Sequence, residues 1–177
     1  MNIQDIYQKT IQFAARKHTD KNQTIPGTDL PYVVHLSNVA MEILVAAANT
    51  ENFDTAFALQ IALLHDTLED TDLTFEQLES GFGNAVAKGV LALTKNPDLE
   101  KSQRMGDSLK RIKQQPKEVW AVKLADRITN LQRPPHFWTE EKIRKYKKEA
   151  EVILQELYHG NEYLGNRLKE KIEIYNL

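Results

Sequence analysis

The sequence predicts an all-α fold, a compact multi-helix bundle. Three observations lead there. Apolar residues recur three and four apart along most of the 177 residues. No run alternates apolar with polar residues as a half-buried strand would. Helix-starting and helix-stopping residues bracket the periodic segments.

Ile3, Ile6, Ile11, Phe13 and Ala14 mark a first helix ending near Lys17 and His18. Thr19 to Pro31 is polar and broken by Pro26-Gly27 and Pro31, so it reads as a loop. A second helix is expected from about Tyr32 to Ala48. A third follows Asp54 as N-cap and takes Ala58, Ile61, Ala62 and Leu64 into the core. Thr74 and Gln77 have capping-box spacing and open a short helix that should end before Gly81. The next helix carries Val86, Val90, Leu91 and Leu93, and Asn96-Pro97 breaks the pattern. Lys101 to Gln115 has only a thin apolar face and reads as a surface helix. Pro116 suits the first turn of a helix in which Trp120, Leu124, Ile128 and Leu131 repeat, stopped by Pro134-Pro135. Thr139, Glu140 and Glu141 start a long helix with acids at its positive end, and Gly160 ends it. Leu164, Leu168 and Ile172 stripe the last helix. With no linker and no repeat, the reading is one domain over 1–177.

Composition excludes several classes. With no cysteine there is neither a disulfide framework nor a thiolate metal site, which fits a cytoplasmic protein. Met1 to Lys9 is polar, without the apolar core of a signal peptide. Val39 to Ala48 and Ala56 to Leu64 are too short to span a bilayer, so no membrane role is expected. A formal net charge of −2, with both signs spread along the chain, argues against a nucleic-acid partner. No Gly-rich phosphate loop is present, which excludes a P-loop kinase or NTPase. Nothing in the sequence sets an oligomeric state.

The chemistry concentrates in Leu63-Leu64-His65-Asp66-Thr67-Leu68-Glu69-Asp70, where a strongly apolar helix ends in imidazole and carboxylates. If helical geometry continues, His65 and Glu69 share one face and Asp66 and Asp70 the next. That mixture of donors suits Zn, Mn or Fe. The bland alternative is a solvated acidic helix end with one capping histidine. His35, in Pro31-Tyr32-Val33-Val34-His35, is either a satisfied core histidine or a ligand. Asp126, inside Val122-Lys123-Leu124-Ala125-Asp126-Arg127-Ile128, either pairs with Lys123 or Arg127 or binds a metal, and Asn130 one turn later faces the same way.

Taken together, these blocks resemble the HD-domain phosphohydrolase superfamily. Within it they are most similar to the small alarmone hydrolases and the hydrolase domain of RelA/SpoT-type enzymes. The matching blocks are Ala14 to His18, Pro31 to His35, Leu63 to Thr71 and Val122 to Leu131, with a looser match over Trp138 to Tyr146. The resemblance implies the multi-helix HD-domain fold and a metal, usually manganese, held by His35, His65, Asp66 and Asp126. Another divalent transition metal is the alternative. It implies that Glu69 and Asp70 form the acidic pair beside that metal, and that Asn130 and Tyr146 contact a nucleotide. It further implies hydrolysis of the 3′-pyrophosphate of guanosine tetraphosphate or pentaphosphate. The chain has no room for a synthetase domain, so alarmone chemistry here would be degradative only.

The sequence departs from the family where that family carries a basic loop. Here the segment reads Thr19-Asp20-Lys21-Asn22-Gln23-Thr24, and Lys142 stands where arginine is expected. Lysine lacks the planar fork of a guanidinium. Lys21, Lys142 and Arg104 are then the candidates to screen substrate charge, Arg104 and Lys101 being alternatively plain surface charge. Lys142 to Lys148 reads as a solvated face, and Trp120 and Trp138 as packing residues. Two other functions stay open: a phosphohydrolase of another phosphorylated nucleotide, and a nucleotide-binding regulatory module with little turnover.

Overall fold

The structure, a computed structural model, describes residues 2–175. The domain expected over 1–177 includes Met1, Asn176 and Leu177, which lie outside the described residues. Among the described residues the architecture is all-α, with one isolated antiparallel bridge between Thr24 and Pro31. The helices are α1 (Ile3–Thr19), α2 (Val33–Ala48), α3 (Thr55–Leu64), α4 (Thr67–Asp70), α5 (Phe75–Phe82), α6 (Asn84–Leu93), α7 (Lys101–Ile112), α8 (Lys117–Asn130), α9 (Glu140–Leu157) and α10 (Glu162–Ile174). A 3-10 turn, Tyr158–Gly160, joins the last two. No described helix is long and apolar enough to cross a membrane.

α3 is the axis of the fold. It packs against α1, α2, α6 and α8. A helix so surrounded must be apolar on every side, and Ala58, Leu59, Ile61, Ala62, Leu63 and Leu64 are completely buried. Each such Leu or Ile stabilises the fold by about 1.5–3 kcal/mol. Asp54 caps the helix as expected, its carboxylate accepting from the Phe57 N–H at 3.0 Å. α6 comes close to α3 because Gly89 has no side chain: a Cβ there would stand 2.5 Å from Ile61 Cδ1 and 3.2 Å from Val119 Cγ2.

The helix does not run on through Asp70. α3 stops at Leu64, and the Thr67 hydroxyl donates to the Leu64 carbonyl at 2.7 Å, where a continuing helix would have placed an N–H. His65 and Asp66 therefore sit at a bend between α3 and α4.

The other differences are local. The capping box of α5 is present, but the helix runs past Gly81 to Phe82. It ends at Gly83, whose φ of +86° suits glycine. Leu91, expected on the buried stripe of α6, is 45% exposed. α7 buries Ser108, Leu109 and Ile112 and is thus better anchored than its thin stripe suggested. Pro116 sits one position ahead of α8, as N-cap. Thr139 caps α9 and Asn161 caps α10, each accepting from an N–H three residues on.

Candidate metal centre

Three mutually packed helices supply the centre. α2 brings His35, the end of α3 brings His65, the bend after it brings Asp66, and α8 brings Asp126. The two imidazole Nε2 atoms are 3.3 Å apart. Asp126 Oδ1 is 3.5 Å from His35 Nε2 and 3.7 Å from His65 Nε2. Asp66 Oδ2 is 2.9 Å from His65 Nε2 and 3.7 Å from His35 Nε2. Ligand atoms about 2.1 Å from one ion stand roughly 3.0–3.4 Å apart at octahedral to tetrahedral angles; the donor atoms of His35, His65 and Asp126 lie within 4.8 Å of one another, a spacing that a divalent ion could draw together. Three of the four expected ligands, His35, His65 and Asp126, form one compact group, and the fourth, Asp66, stands against the two histidines.

The ring orientations are fixed from behind. His65 Nδ1 lies 2.8 Å from the Ala62 carbonyl, which can only accept, so Nδ1 carries the proton and Nε2 offers its lone pair. The Thr129 hydroxyl donates to the Asp126 carbonyl at 2.9 Å and so can accept from His35 Nδ1 at 3.4 Å. Two lone pairs 3.3 Å apart require a cation between them, either a proton or a metal. Asp126 is held by two donors: Lys123 Nζ donates to Oδ2 at 2.9 Å, and Asn130 Nδ2 donates at 2.5 Å to Oδ1, the oxygen that faces the histidines. Pairing with Lys123 and facing a metal are thus compatible roles for one carboxylate. Tyr32 donates its hydroxyl to Asp66 Oδ2 at 2.5 Å.

The protonation pattern follows. Burial disfavours charge on His65, but Asp66 and Asp126 outweigh it and hold its pKa well above 6.5. Burial likewise opposes ionisation of Asp66 and Asp126. His65 outweighs it for Asp66, Lys123 and the two histidines outweigh it for Asp126, and both acids lie below the usual carboxylate range. A metal must displace the His65 proton. Metal affinity should therefore rise with pH, by up to about tenfold per unit below the raised His65 pKa, and level off above it. Calorimetry at pH 6.5 in buffers of different ionisation heat should count about one proton released per ion bound. An affinity that stays flat from pH 6 to 8 would contradict this arrangement.

The acidic pair lines the same cavity of about 160 Å³, with Tyr32, Lys95, Arg127, Asn130 and Tyr146. Glu69 is bound by Lys95. Asp70 accepts from Gln23 Nε2 at 2.8 Å, and Gln23 Oε1 in turn stands 2.5 Å from His18 Nδ1. Burial pushes the Asp70 carboxyl up and the His18 imidazole down. A second chamber of about 220 Å³ adjoins the first, sharing Leu93, Lys95, Lys123 and Arg127 and adding Lys101 and Arg104.

Asn130 and Tyr146, expected to contact nucleotide, do line the metal cavity. The three expected charge-screening residues do not. Lys21 is paired with Asp72. Lys142 lies over the Trp138 ring, 4.1 Å from its centroid. Arg104 lines the second chamber, and its guanidinium donates to the carbonyls of Leu99 and Pro97. Sequence reasoning missed Gln23, Tyr32, Lys95 and Thr129 as site residues. Only Tyr32 carried a signal, its place beside His35 in the Pro31 to His35 block.

Comparison with known proteins agrees with this geometry. The sequence profile of the HD domain family matches residues 10–161. The guanosine-3′,5′-bis(diphosphate) 3′-pyrophosphohydrolase MESH1 of Danio rerio is 34% identical over 167 residues, covering 92% of this chain and 89% of the relative. The human protein of the same name is 34% identical over 162 residues, covering 89% of this chain and 87% of the relative. A solved structure described as a metazoan ortholog of SpoT that hydrolyzes ppGpp superposes with a TM-score of 0.80 at 31% identity, covering 95% of this chain and 94% of that one. With its fold all-α, its histidines and aspartates gathered at one point and its sequence matched over most of its length, the chain belongs to the HD domain family.

Proposed function

We propose that the protein is a divalent-metal-dependent hydrolase that removes the 3′-pyrophosphate of guanosine tetraphosphate or pentaphosphate, giving GDP or GTP and pyrophosphate. The observation that carries this reading is the pairing of a metal-competent group, His35, His65 and Asp126 with Asp66 beside the histidines, with two further carboxylates, Glu69 and Asp70, on the cavity wall. The relatives named for this reaction support the choice of substrate. Manganese is our choice of ion, since two imidazoles and two carboxylates suit a metal between hard and soft. When bound, the ion supplies Lewis acidity toward water and phosphate oxygens.

The chain's own residues account for the rest. Glu69 orients and deprotonates the attacking water. The bond between phosphorus and the ribose O3′ breaks, and the departing oxygen takes a proton. Asp70, its carboxyl pushed up by burial, is the group suited to supply it. The metal cavity is sized for phosphate groups rather than for a whole nucleotide. Tyr146 and Asn130 line its wall, and in this reading they meet the sugar. Lys101 and Lys123 supply positive charge around the two chambers.

Guanosine tetraphosphate incubated with the manganese-loaded protein should yield GDP and pyrophosphate, with a KM of about 1 μM to 1 mM. Because the cations lining the chambers are mostly lysines, KM should climb with ionic strength. No turnover of that substrate, with clear turnover of a different phosphorylated nucleotide, would move the assignment to the second substrate class. One observation favours that class: Gln23, in the basic-poor loop, is spent on Asp70 and His18.

A further inference from the structure

Glu69 is held twice by one residue. The Lys95 N–H donates to Glu69 Oε2 at 3.0 Å, and the Lys95 ammonium donates to Oε1 at 2.6 Å. What places Lys95 there is the way α6 ends. Ser108 of α7 donates to the Ala92 carbonyl at 2.9 Å. Arg111 of α7 donates to the Ala92 carbonyl at 3.2 Å, to the Thr94 carbonyl at 2.7 Å and to the Leu91 carbonyl. Those are the carbonyls a helix end leaves without partners. Further on, Arg104 donates at 2.9 Å to both Leu99 and Pro97 carbonyls. Residues 94–99 are thus pinned to α7 on both sides, and Lys95 lies between the pins.

The ion pair itself adds little to stability, since its side chains are 52% and 28% exposed. Its consequence is geometric. Two donors on one carboxylate, one of them main chain, hold Glu69 in a single orientation against the cavity that both residues line. We propose that Lys95 is a positioning residue for the reaction: pinned by Arg104 and Arg111, it clamps Glu69 in the orientation its work on the attacking water requires. The proposal rests on the hydrolase reading of the site. Without the ammonium, Glu69 keeps its bond from the Lys95 N–H and pivots about it, so Oε1 loses its direction.

Lys95→Met should lower kcat by about 10- to 100-fold while KM stays within about threefold, since the error falls on alignment rather than on binding. Lys95→Arg should recover most of the lost rate. In a Glu69→Gln background, adding Lys95→Met should change kcat by less than about twofold, because the group it positions is already disabled. Arg104→Ala should act in the same direction as Lys95→Met and less strongly. A KM that rises while kcat holds would make Lys95 a phosphate ligand and overturn the proposal. So would a full additional loss in the Glu69→Gln background. Wild-type turnover of guanosine tetraphosphate tests the hydrolase reading by itself. The Lys95 series is measured on whichever nucleotide the wild-type protein hydrolyses, so failure of the substrate assignment and failure of the clamp are told apart.

Discussion

Asp126→Asn should leave a folded protein that no longer retains its metal and hydrolyses substrate more than about 10³-fold more slowly, since several kcal/mol of charge stabilisation at phosphorus go with the ion. The substitution keeps the size and shape of the side chain but removes the charge facing both histidines, 3.5 and 3.7 Å from their Nε2 atoms. It also leaves Lys123, only 16% exposed at its side chain, without its counter-charge. Some loss of melting temperature is therefore expected alongside the metal loss, because a cation this buried is costly once unpaired. Metal content after desalting and a melting curve separate the two effects. A variant that holds a divalent ion as tightly as wild type would remove Asp126 from the proposed ligand set. Asp66→Ala should behave similarly, with less cost to stability, because Asp66 is the more exposed of the two aspartates.

What the sequence made legible was what is local. The N-caps Asp54, Thr74 and Thr139 act within three residues of themselves, and all three make the bonds their spacing predicts. The apolar stripes of α2, α3 and α8 depend only on helical period, and these helices or their ends carry His35, His65 and Asp126. The pairing of Asn130 with Asp126 is one helical turn and was equally readable. The break after Leu64 was less so, because it depends on a threonine hydroxyl taking a carbonyl that a main-chain N–H would otherwise bond, and the presence of a threonine does not by itself say that it will do this.

The partners of the acidic pair were not legible, for a reason of distance along the chain. Lys95 is 26 residues from Glu69 and Gln23 is 47 from Asp70. Neither lies in a motif. Each reaches its carboxylate only because α6 and the loop after α1 end beside α4. The same holds for the charge-screening residues. Residue type put Lys21 and Lys142 forward to screen substrate charge, and the structure sets them beside Asp72 and Trp138 instead of on the cavity wall. Charge alone does not say which neighbour a lysine will find, whereas a histidine and an aspartate flanked by buried apolar residues have few places to go.

Glu69→Gln carries the sharpest test of how the two carboxylates divide their work. The amide keeps the size of the side chain and can still accept the Lys95 ammonium at Oε1, but its NH₂ group cannot accept from the Lys95 N–H and cannot take a proton from water. Metal binding should be unchanged, because the described side-chain bonds of Glu69 go to Lys95 rather than to His35, His65, Asp66 or Asp126. Turnover should fall by about 100-fold or more, the usual contribution of a positioned proton-transfer group. Asp70→Asn should differ in kind. If Asp70 donates the proton to the leaving oxygen, it must be protonated to work, so its upward-shifted carboxyl should make wild-type activity decline as pH rises past its pKa. That decline should disappear in Asp70→Asn, leaving a low rate with no basic limb from this group. Each variant is measured for manganese content and for kcat across pH 4 to 9. A Glu69→Gln protein that hydrolyses at the wild-type rate with full metal would show that the water is activated without it. The proton-transfer role would then pass to Asp70, whose only described side-chain donor is Gln23.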